Sequence, residues 1–342
     1  MNKNITIKDV AKSLNISVST VSRVMNGKDR VSGTTRKKVL EAIEKLDYVP
    51  NYAAVSIVKK QTKVIVVMLP DLGSRFYLDI VQGIEETAKS KGYFTMIFSS
   101  NGSSVEEADF INGIMGRFVD GIIAIPSSSD FSFFKNYGKP VVFVDRFNDD
   151  YSFDSVVVDN FNGARMATEH LIQNGHRNIA LLSGPRDLNI GLERQRGYEQ
   201  ALRDHGIDIK QEYIRTTGWS EADGCQNTNQ LLALPEPPTA VFAANENLCR
   251  GFYKALSEHH MWIVEDISLV CFNDNPLAQS MQPQITVIQR ATNEMGKISA
   301  TLLLNKIEQK DACVSPQRIS LPVRLVVRGS VRNLYDSPIA RT

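Results

Sequence analysis

Residues 6–27, TIKDVAKSLNISVSTVSRVMNG, carry short apolar stripes separated by polar positions at helical spacing. Thr6 followed by Asp9 is an N-terminal capping signature, so the pattern predicts a helix that starts near Ile7 and buries Val10, Ala11 and Leu14. The chain then turns at Asn15-Ile16, and Ser17 caps a second helix on which Val21 and Val24 share one face while Val18, Ser19, Ser22 and Arg23 lie on others. A third helix, Thr34 to Leu46, presents Val39, Leu40, Ile43 and Leu46 to a small three-helix core, and Tyr48-Val49-Pro50-Asn51 ends it. Further along the pattern changes. Short β-rich runs at 64–69, 95–99, 121–125, 141–144, 155–158, 179–183, 240–243 and 268–272 alternate with helical stretches such as 76–91, 164–174 and 193–205. That alternation predicts an α/β body with mostly parallel sheet, in which ligands bind beyond the carboxyl ends of strands.

Two short helices joined by a tight turn form a helix-turn-helix, and the second helix here carries no acidic residue. In that motif the start of the second helix enters the DNA major groove, where small side chains such as Val18 and Ser19 allow close approach and Arg23 reaches a guanine or a phosphate. A surface helical hairpin of an ordinary domain has the same spacing. Charge separates the two readings. Residues 1–60 hold 12 Lys and Arg against 5 Asp and Glu, whereas the remainder holds 27 against 33, so the near-neutral total of +1 hides a basic head on an acidic body. Lys3, Arg30, Arg36, Lys37 and Lys38 are candidates for phosphate contacts, although a solvated basic face would use the same residues.

A chain of 342 residues with 42% hydrophobic content buries a large core and fits two or three folding units. The N-terminus is polar and lacks the apolar run of a secretory signal, and no membrane span is visible, so the expected compartment is the cytoplasm. Cys225, Cys249, Cys271 and Cys313 are widely spaced without a CxxC, which favours free thiols over a zinc site or disulfides, and His259-His260 has no ligand partner at useful spacing. No cofactor or metal is expected. A dinucleotide enzyme would need a glycine-rich phosphate turn after the first strand, and Pro70-Asp71-Leu72-Gly73-Ser74 lacks G-x-G-x-x-G. No hydrolytic triad stands out, and no enzymatic activity is expected, although dispersed triads leave no signature in one sequence.

The run TIKDVA…SVSTVSRVMNG…VSGTTRKKVLEAIEKLDYVPN resembles the DNA-binding head of the lactose-repressor (LacI/GalR) family. The likeness continues at PVVFVDR (140–146), VVVDNFNGARMATEHLIQNGHRNIALLSGP (156–185), ERQRGYEQAL (193–202) and AVFAANENLCRGFYKAL (240–256), which covers essentially the whole chain. The resemblance implies a small all-α helix-turn-helix head at 1–50, a hinge at 51–62 and an effector-binding and dimerisation core at 63–342. The core would be of the type I periplasmic-binding-protein kind, with two doubly wound α/β subdomains at about 63–160 with 290–322, and about 161–289 with 323–342. The implied protein is a sequence-specific transcriptional regulator, a repressor of carbohydrate-utilisation genes, that binds a pseudo-palindromic operator as a homodimer and answers to a small carbohydrate-like effector. The alternative is a periplasmic-type solute-binding protein without a DNA role, which would need a signal peptide and would have no use for a basic three-helix head.

The resemblance carries DNA contacts onto Thr6, Ser17, Val18, Ser19, Thr20, Ser22, Arg23, Asn26, Arg30, Thr35 and Tyr48 in the head, with Asn51, Ala54 and Ile57 at the hinge. Loops after strands supply the effector candidates Ser74, Phe76, Tyr77, Asp145, Arg146, Arg194, Trp219, Asn245 and Asn273. Amides and carboxylates pair with hydroxyls, an arginine donates a fork, and an aromatic face packs against a sugar ring. In the family, the positions matching Arg194, Trp219, Asn245 and Asn273 commonly line the pocket. Plain structural roles compete: Trp219 as core, Asp159 as a helix cap, Asn273-Asp274 as turn chemistry.

Two departures from the family pattern bear on function. Where members typically read G-[FY]-D, this chain has Cys271-Phe272-Asn273, so a carboxylate that often grips ligand hydroxyls is replaced by an amide. With Arg75, Arg146, Arg186 and Arg194 expected near the cleft, an anionic effector such as a sugar acid or sugar phosphate becomes the favoured class. In the hinge, Ile57 stands where the family places the leucine that wedges into the minor groove, among β-branched neighbours that lower helix propensity; a plain flexible linker is the alternative.

Overall fold

The computed structural model describes residues 5–25, 31–48, 61–113, 117–147, 152–308 and 315–335. The chain divides into two compact units, Met1–Thr62 and Lys63–Thr342.

In the first unit three helices, α1 (Ile7–Ser13), α2 (Val18–Met25) and α3 (Gly33–Lys45), surround a core of Val10, Ala11, Val21, Val24, Val39 and Tyr48. The Asp9 carboxylate accepts from the Thr6 backbone N–H at 2.9 Å and from its hydroxyl at 2.7 Å, which fixes the start of α1. Asn15 makes the turn with φ 50°, a left-handed conformation that Asn tolerates. Ser17 accepts from the N–H of Thr20, and Ser32 from that of Thr35, so both later helices begin on a serine. Leu40, expected in this core, is 52% exposed; the buried face of α3 runs through Val39, Ala42, Ile43 and Leu46, and residue 40 lies about 100° round from 39.

The second unit holds two six-stranded sheets. The first contains β1 (Val64–Leu69), β2 (Phe94–Ser99), β3 (Gly121–Ala124), β4 (Val141–Val144), β5 (Asp154–Val158) and β11 (Arg318–Leu321) in the order β11-β5-β4-β3-β1-β2, all parallel. The second contains β6 (Ile179–Leu182), β7 (Ile214–Arg215), β8 (Ala240–Ala243), β9 (Ser268–Phe272), β10 (Thr286–Gln289) and β12 (Arg324–Val326) in the order β12-β10-β9-β8-β6-β7, with only β10 and β12 antiparallel. Both sheets therefore reverse their winding beside their first strand. Central strands read as continuous apolar runs, VIVVML in β1 and VVFV in β4, because helices cover both faces.

Helices α4 (Arg75–Ser90), α5 (Ser104–Asn112) and α6 (Ser132–Lys135) follow strands of the first sheet; α7 (Asn160–Gln173), α8 (Asn189–Asp204), α9 (Glu221–Leu232), α10 (Glu246–Glu258) and α11 (Pro276–Ser280) belong to the second. After β10, α12 (Thr292–Glu308) returns to the first sheet, packing Met295, Leu303 and Ile307 into its core. The chain thus passes between the halves three times: after β5, after β10 and between β11 and β12. Helix pairs meet through glycines. A Cβ at Gly83 of α4 would collide with the Asn293 carbonyl, and one at Gly296 of α12 with the Ile80 carbonyl; Gly197 of α8 and Gly251 of α10 make the same kind of backbone contact with Phe161 and Glu221.

Alanine at Gly83 or Gly296 adds helix propensity yet must push two backbones apart. The collision is expected to dominate, lowering stability by about 1–3 kcal/mol in a urea titration of either variant. His176 yields a second expectation. Its ring bonds to the Thr239 hydroxyl at 2.9 Å and the Arg332 carbonyl at 3.2 Å, and burial pulls its pKa down to about 4. Between that value and the unfolded value of about 6.5 the unfolded chain binds the extra proton. Stability should therefore be undiminished above about pH 6.5 and fall by about 2–3 kcal/mol as pH drops towards 4. The slope of urea midpoint against pH in that window should be smaller in His176→Gln.

Candidate functional site

Parallel strands deliver their carboxyl ends to one edge, and between the two edges lies a cavity of about 380 Å³. Its wall in the first half comes from the loops after β1 (Pro70, Asp71, Ser74, then Phe76 and Tyr77), β2 (Asn101, Gly102), β3 (Ser127) and β4 (Asp145, Arg146). The other half contributes Leu188, Ile190 and Arg194 after β6, Trp219 and Ser220 after β7, Asn245, Glu246 and Asn247 after β8, and Asn273 after β9. Arg290, at the second crossover, completes the lining.

All nine effector candidates named from the sequence line this cavity. Their chemistry is unequal. Arg194 is 2% exposed, its Nε donates to Asn160 Oδ1 at 2.9 Å, its Nη1 donates to the Ala244 carbonyl, and its plane stacks 3.8 Å from the centre of the Phe272 ring. Its Nη2 is buried and has no partner among the described residues, so one nitrogen of the guanidinium is left uncommitted. Burial, and then the charge of Arg290, pulls its pKa below that of a free guanidinium. Among the described residues Arg146 donates from Nη1 to the Pro126 carbonyl, and its Nε has no partner.

Asp145 and Asn273 occupy equivalent places, each directly after the fourth strand of its half and each with positive φ, 66° and 92°. Asx residues tolerate that backbone, which accounts for their type but not for the choice between acid and amide. Asp145 spends its carboxylate on Arg290 at 2.6 Å, with both side chains 3% exposed. Asn273 keeps its Oδ1 unpartnered. Asn245 is committed at both ends of its amide, capping α10 through the Leu248 N–H at 2.7 Å and donating to the Trp219 carbonyl at 3.1 Å.

Three aromatic rings shape the space. Trp219 lies directly on the backbone of Gly184, where any Cβ would meet the indole, and its Nε1 has no partner. Phe76 lies beneath Arg290, 3.5 Å from guanidinium to ring centre, and beside Tyr77 with centroids 5.2 Å apart. Burial pushes the Tyr77 hydroxyl up to about 12, which leaves it a neutral hydrogen-bonding group.

Arg75 and Arg186, counted among the cleft cations from sequence, are not in its lining. Arg75 is exposed, pairs with Asp79 at 2.8 Å and borders a neighbouring cavity of about 250 Å³; Arg186 is exposed. Asp159 caps α7 through the Asn162 N–H at 3.0 Å, and Asp274 pairs with Arg328 at 2.7 Å. Arg290 escaped the sequence reading because β10, the strand before it, was not among the strand candidates. Glu246, Asp71 and Ser127 carried no distinguishing signal. Among the described residues no cluster of His, Cys, Asp and Glu could hold a metal, and no helix is long and apolar enough to cross a membrane.

In the first unit, Thr6, Ser17, Val18, Ser19 and Arg23 are exposed, and Thr20, Ser22 and Thr35 are half-buried. Ser17 Oγ lies 2.8 Å from the hydroxyls of both Ser19 and Thr20, giving the start of α2 a cluster of hydroxyls suited to a phosphate or a base edge. Tyr48, named above as a DNA contact, is 9% exposed and packs into the three-helix core. Asn26, Arg30, Asn51, Ala54 and Ile57 lie outside the described residues, as do Lys3 and Cys313.

Residues 6–51 match the pattern of bacterial regulatory proteins of the lacI family, and residues 168–331 match a periplasmic binding protein-like domain. Catabolite control protein A of Priestia megaterium is 31% identical over 96% of this chain and 100% of its own. The HTH-type transcriptional repressor CytR of Escherichia coli (strain K12) is 30% identical over 96% of this chain and 97% of its own. Among solved structures, the lac repressor dimer bound to operator and the anti-inducer ONPF superposes with a TM-score of 0.84 at 28% identity, covering 96% of this chain and 100% of that one.

The Arg290–Asp145 pair makes the site's architecture testable. Arg290→Met strands a buried carboxylate and should cost about 3–5 kcal/mol in chemical denaturation, while Arg290→Met with Asp145→Leu should recover most of that loss.

Proposed function

Because this chain belongs to the lacI family of bacterial regulatory proteins, and is therefore a DNA-binding transcriptional regulator with an effector-binding domain, we propose that it represses carbohydrate-utilisation genes under control of a small anionic sugar derivative. The observation that carries the effector class is Arg194: a guanidinium 2% exposed, facing a 380 Å³ cleft, with one nitrogen unpartnered. Arg146 adds a second cation whose charge no carboxylate pairs among the described residues, whereas Asp145 and Arg290 neutralise each other. Asp71 is occupied by the N–H groups of Gly73 and Ser74, and the Glu246 carboxylate accepts from the Ser74 hydroxyl. At residue 273 an amide accepts or donates to a ligand without repelling an acid, so a sugar acid or sugar phosphate fits better than a neutral sugar. Trp219 and Phe76 would face the apolar side of the ring.

The match over residues 6–51 sets aside the solute-binding protein without a DNA role. The exposed start of α2 reads the major groove, residues 51–62 serve as the hinge with Ile57 as its apolar wedge, and two chains address the half-sites of a pseudo-palindromic operator. The exposed apolar side chains of Phe94 and Ile97 on the edge strand β2, with Leu78 on α4, supply the homodimer surface. Ile80 and Ile84 of the same helix are fully buried in the core and take no part in that surface. The effector's free energy reaches DNA only through its different affinity for the two states of the cleft. The protein works in the cytoplasm, on chromosomal DNA, without catalysis.

Binding of the purified protein to its own upstream intergenic DNA, titrated with neutral sugars, sugar acids and sugar phosphates, tests this reading. Specific affinity should exceed that for random DNA by about 10³-fold or more and fall with salt at a slope of about −0.9 per phosphate contact. One anionic compound should shift operator affinity by about 5–150-fold. A neutral sugar acting more strongly than its acid or phosphate counterpart would overturn the anionic assignment.

A further inference from the structure

Ser74 sits at the N-cap of α4, where a serine ordinarily turns its oxygen back to an N–H of the first turn, yet its side chain makes no such bond. Its hydroxyl instead donates to Glu246 Oε1 at 2.6 Å, across the cleft and 172 residues along the chain. That length is typical of a hydroxyl donating to a carboxylate, the stronger class of hydrogen bond. Both groups are buried, Ser74 at 7% exposure and Glu246 at 8%.

Each partner is held for this contact by its own loop. Asp71 accepts from the N–H groups of Gly73 and Ser74, both at 2.9 Å, and fixes the turn that presents the hydroxyl. On the opposite wall, Asn245 supplies the cap of α10, which frees the Glu246 carboxylate from that duty and leaves it pointing outward from the first turn, where the helix dipole favours a negative charge. The bond joins the walls at a point separate from the Arg290–Asp145 pair at the crossover. Two contacts at separate points define an angle between the halves, whereas one would leave a pivot.

We propose that Ser74 and Glu246 form a latch that sets the closed angle of the cleft. The chain's own atoms make the contact on both sides, so it biases closure independently of any ligand. An effector that places an acceptor against Ser74 competes with Glu246, and one that leaves the pair intact binds a cleft already biased towards closure. The inference concerns the cleft alone, and its effect on repression rests on the reading above.

The chain has two tryptophans, Trp219 in the cleft wall and Trp262, 66% exposed elsewhere; Trp262→Phe leaves Trp219 as sole reporter. In that background, acrylamide quenching and small-angle scattering would be measured for Ser74→Ala, Glu246→Ala, Glu246→Gln and the double alanine variant. Each alanine variant should raise the open-to-closed ratio about tenfold, seen as stronger quenching and a larger radius of gyration. Glu246→Gln, whose amide oxygen still accepts, should open less. The double variant should open no further than either single one. Ser74→Ala removes no capping bond, so a merely structural role for the hydroxyl would leave quenching unchanged. Unchanged quenching in the folded alanine variants, or additive opening in the double variant, would overturn the latch. Operator binding, measured in parallel, would separate that result from a failure of the regulator reading.

Discussion

In a parallel sheet every strand ends at the same edge, and a body made of two such sheets joined by three crossovers must bring the two edges face to face. The chemistry of the cavity in the second unit follows from that constraint. The loops that emerge there have no ladder to join, so their polar groups seek partners among themselves or turn towards the cavity. Apolar strands covered by helices supply stability elsewhere, and the glycine contacts between helix pairs keep those helices close enough to cover them.

The cavity's charges balance in a manner that net composition could not reveal. Arg290 and Asp145 cancel, Asp71 answers backbone N–H groups, Glu246 answers a hydroxyl, and Arg194 is left with stacking and neutral acceptors. A buried cation without a carboxylate is costly in isolation. Here the faces of Phe272 and Trp219, with the more distant charges of Asp145 and Glu193, offset part of that cost, and under the proposed reading a ligand anion would offset more.

Much of this was legible in the chain. The strands from β1 to β9 announce themselves as short, mainly apolar runs, except β7, whose two residues are too few for any pattern. The strands β10, β11 and β12 give no comparable signal, because each has only two apolar residues among Thr, Gln, Arg and Ser, and Arg290 follows the first of them. Helices α7 and α8 begin four residues before the helical stretches expected from the sequence, at Asn160 and Asn189, two residue types that also suit turns. Leu40 shows the opposite limit: periodicity names a face only to within one residue. Loop chemistry placed Arg194 and Asn273 at the site, but which atoms remain uncommitted depends on neighbours more than a hundred residues away in sequence, as Asp145 and Arg290 demonstrate.

The left-handed backbone at residue 273 narrows what can stand there. Glycine would fit but offers no side-chain atom, and most other residues would be strained, so a polar group at this corner of the cavity is in practice an asparagine or an aspartate. Their codons differ at a single base. Under the proposed reading, a preference for acids or for neutral ligands is then separated by one point mutation that leaves the fold untouched, and a regulator of this design could exchange one class of nutrient signal for another without rebuilding its scaffold.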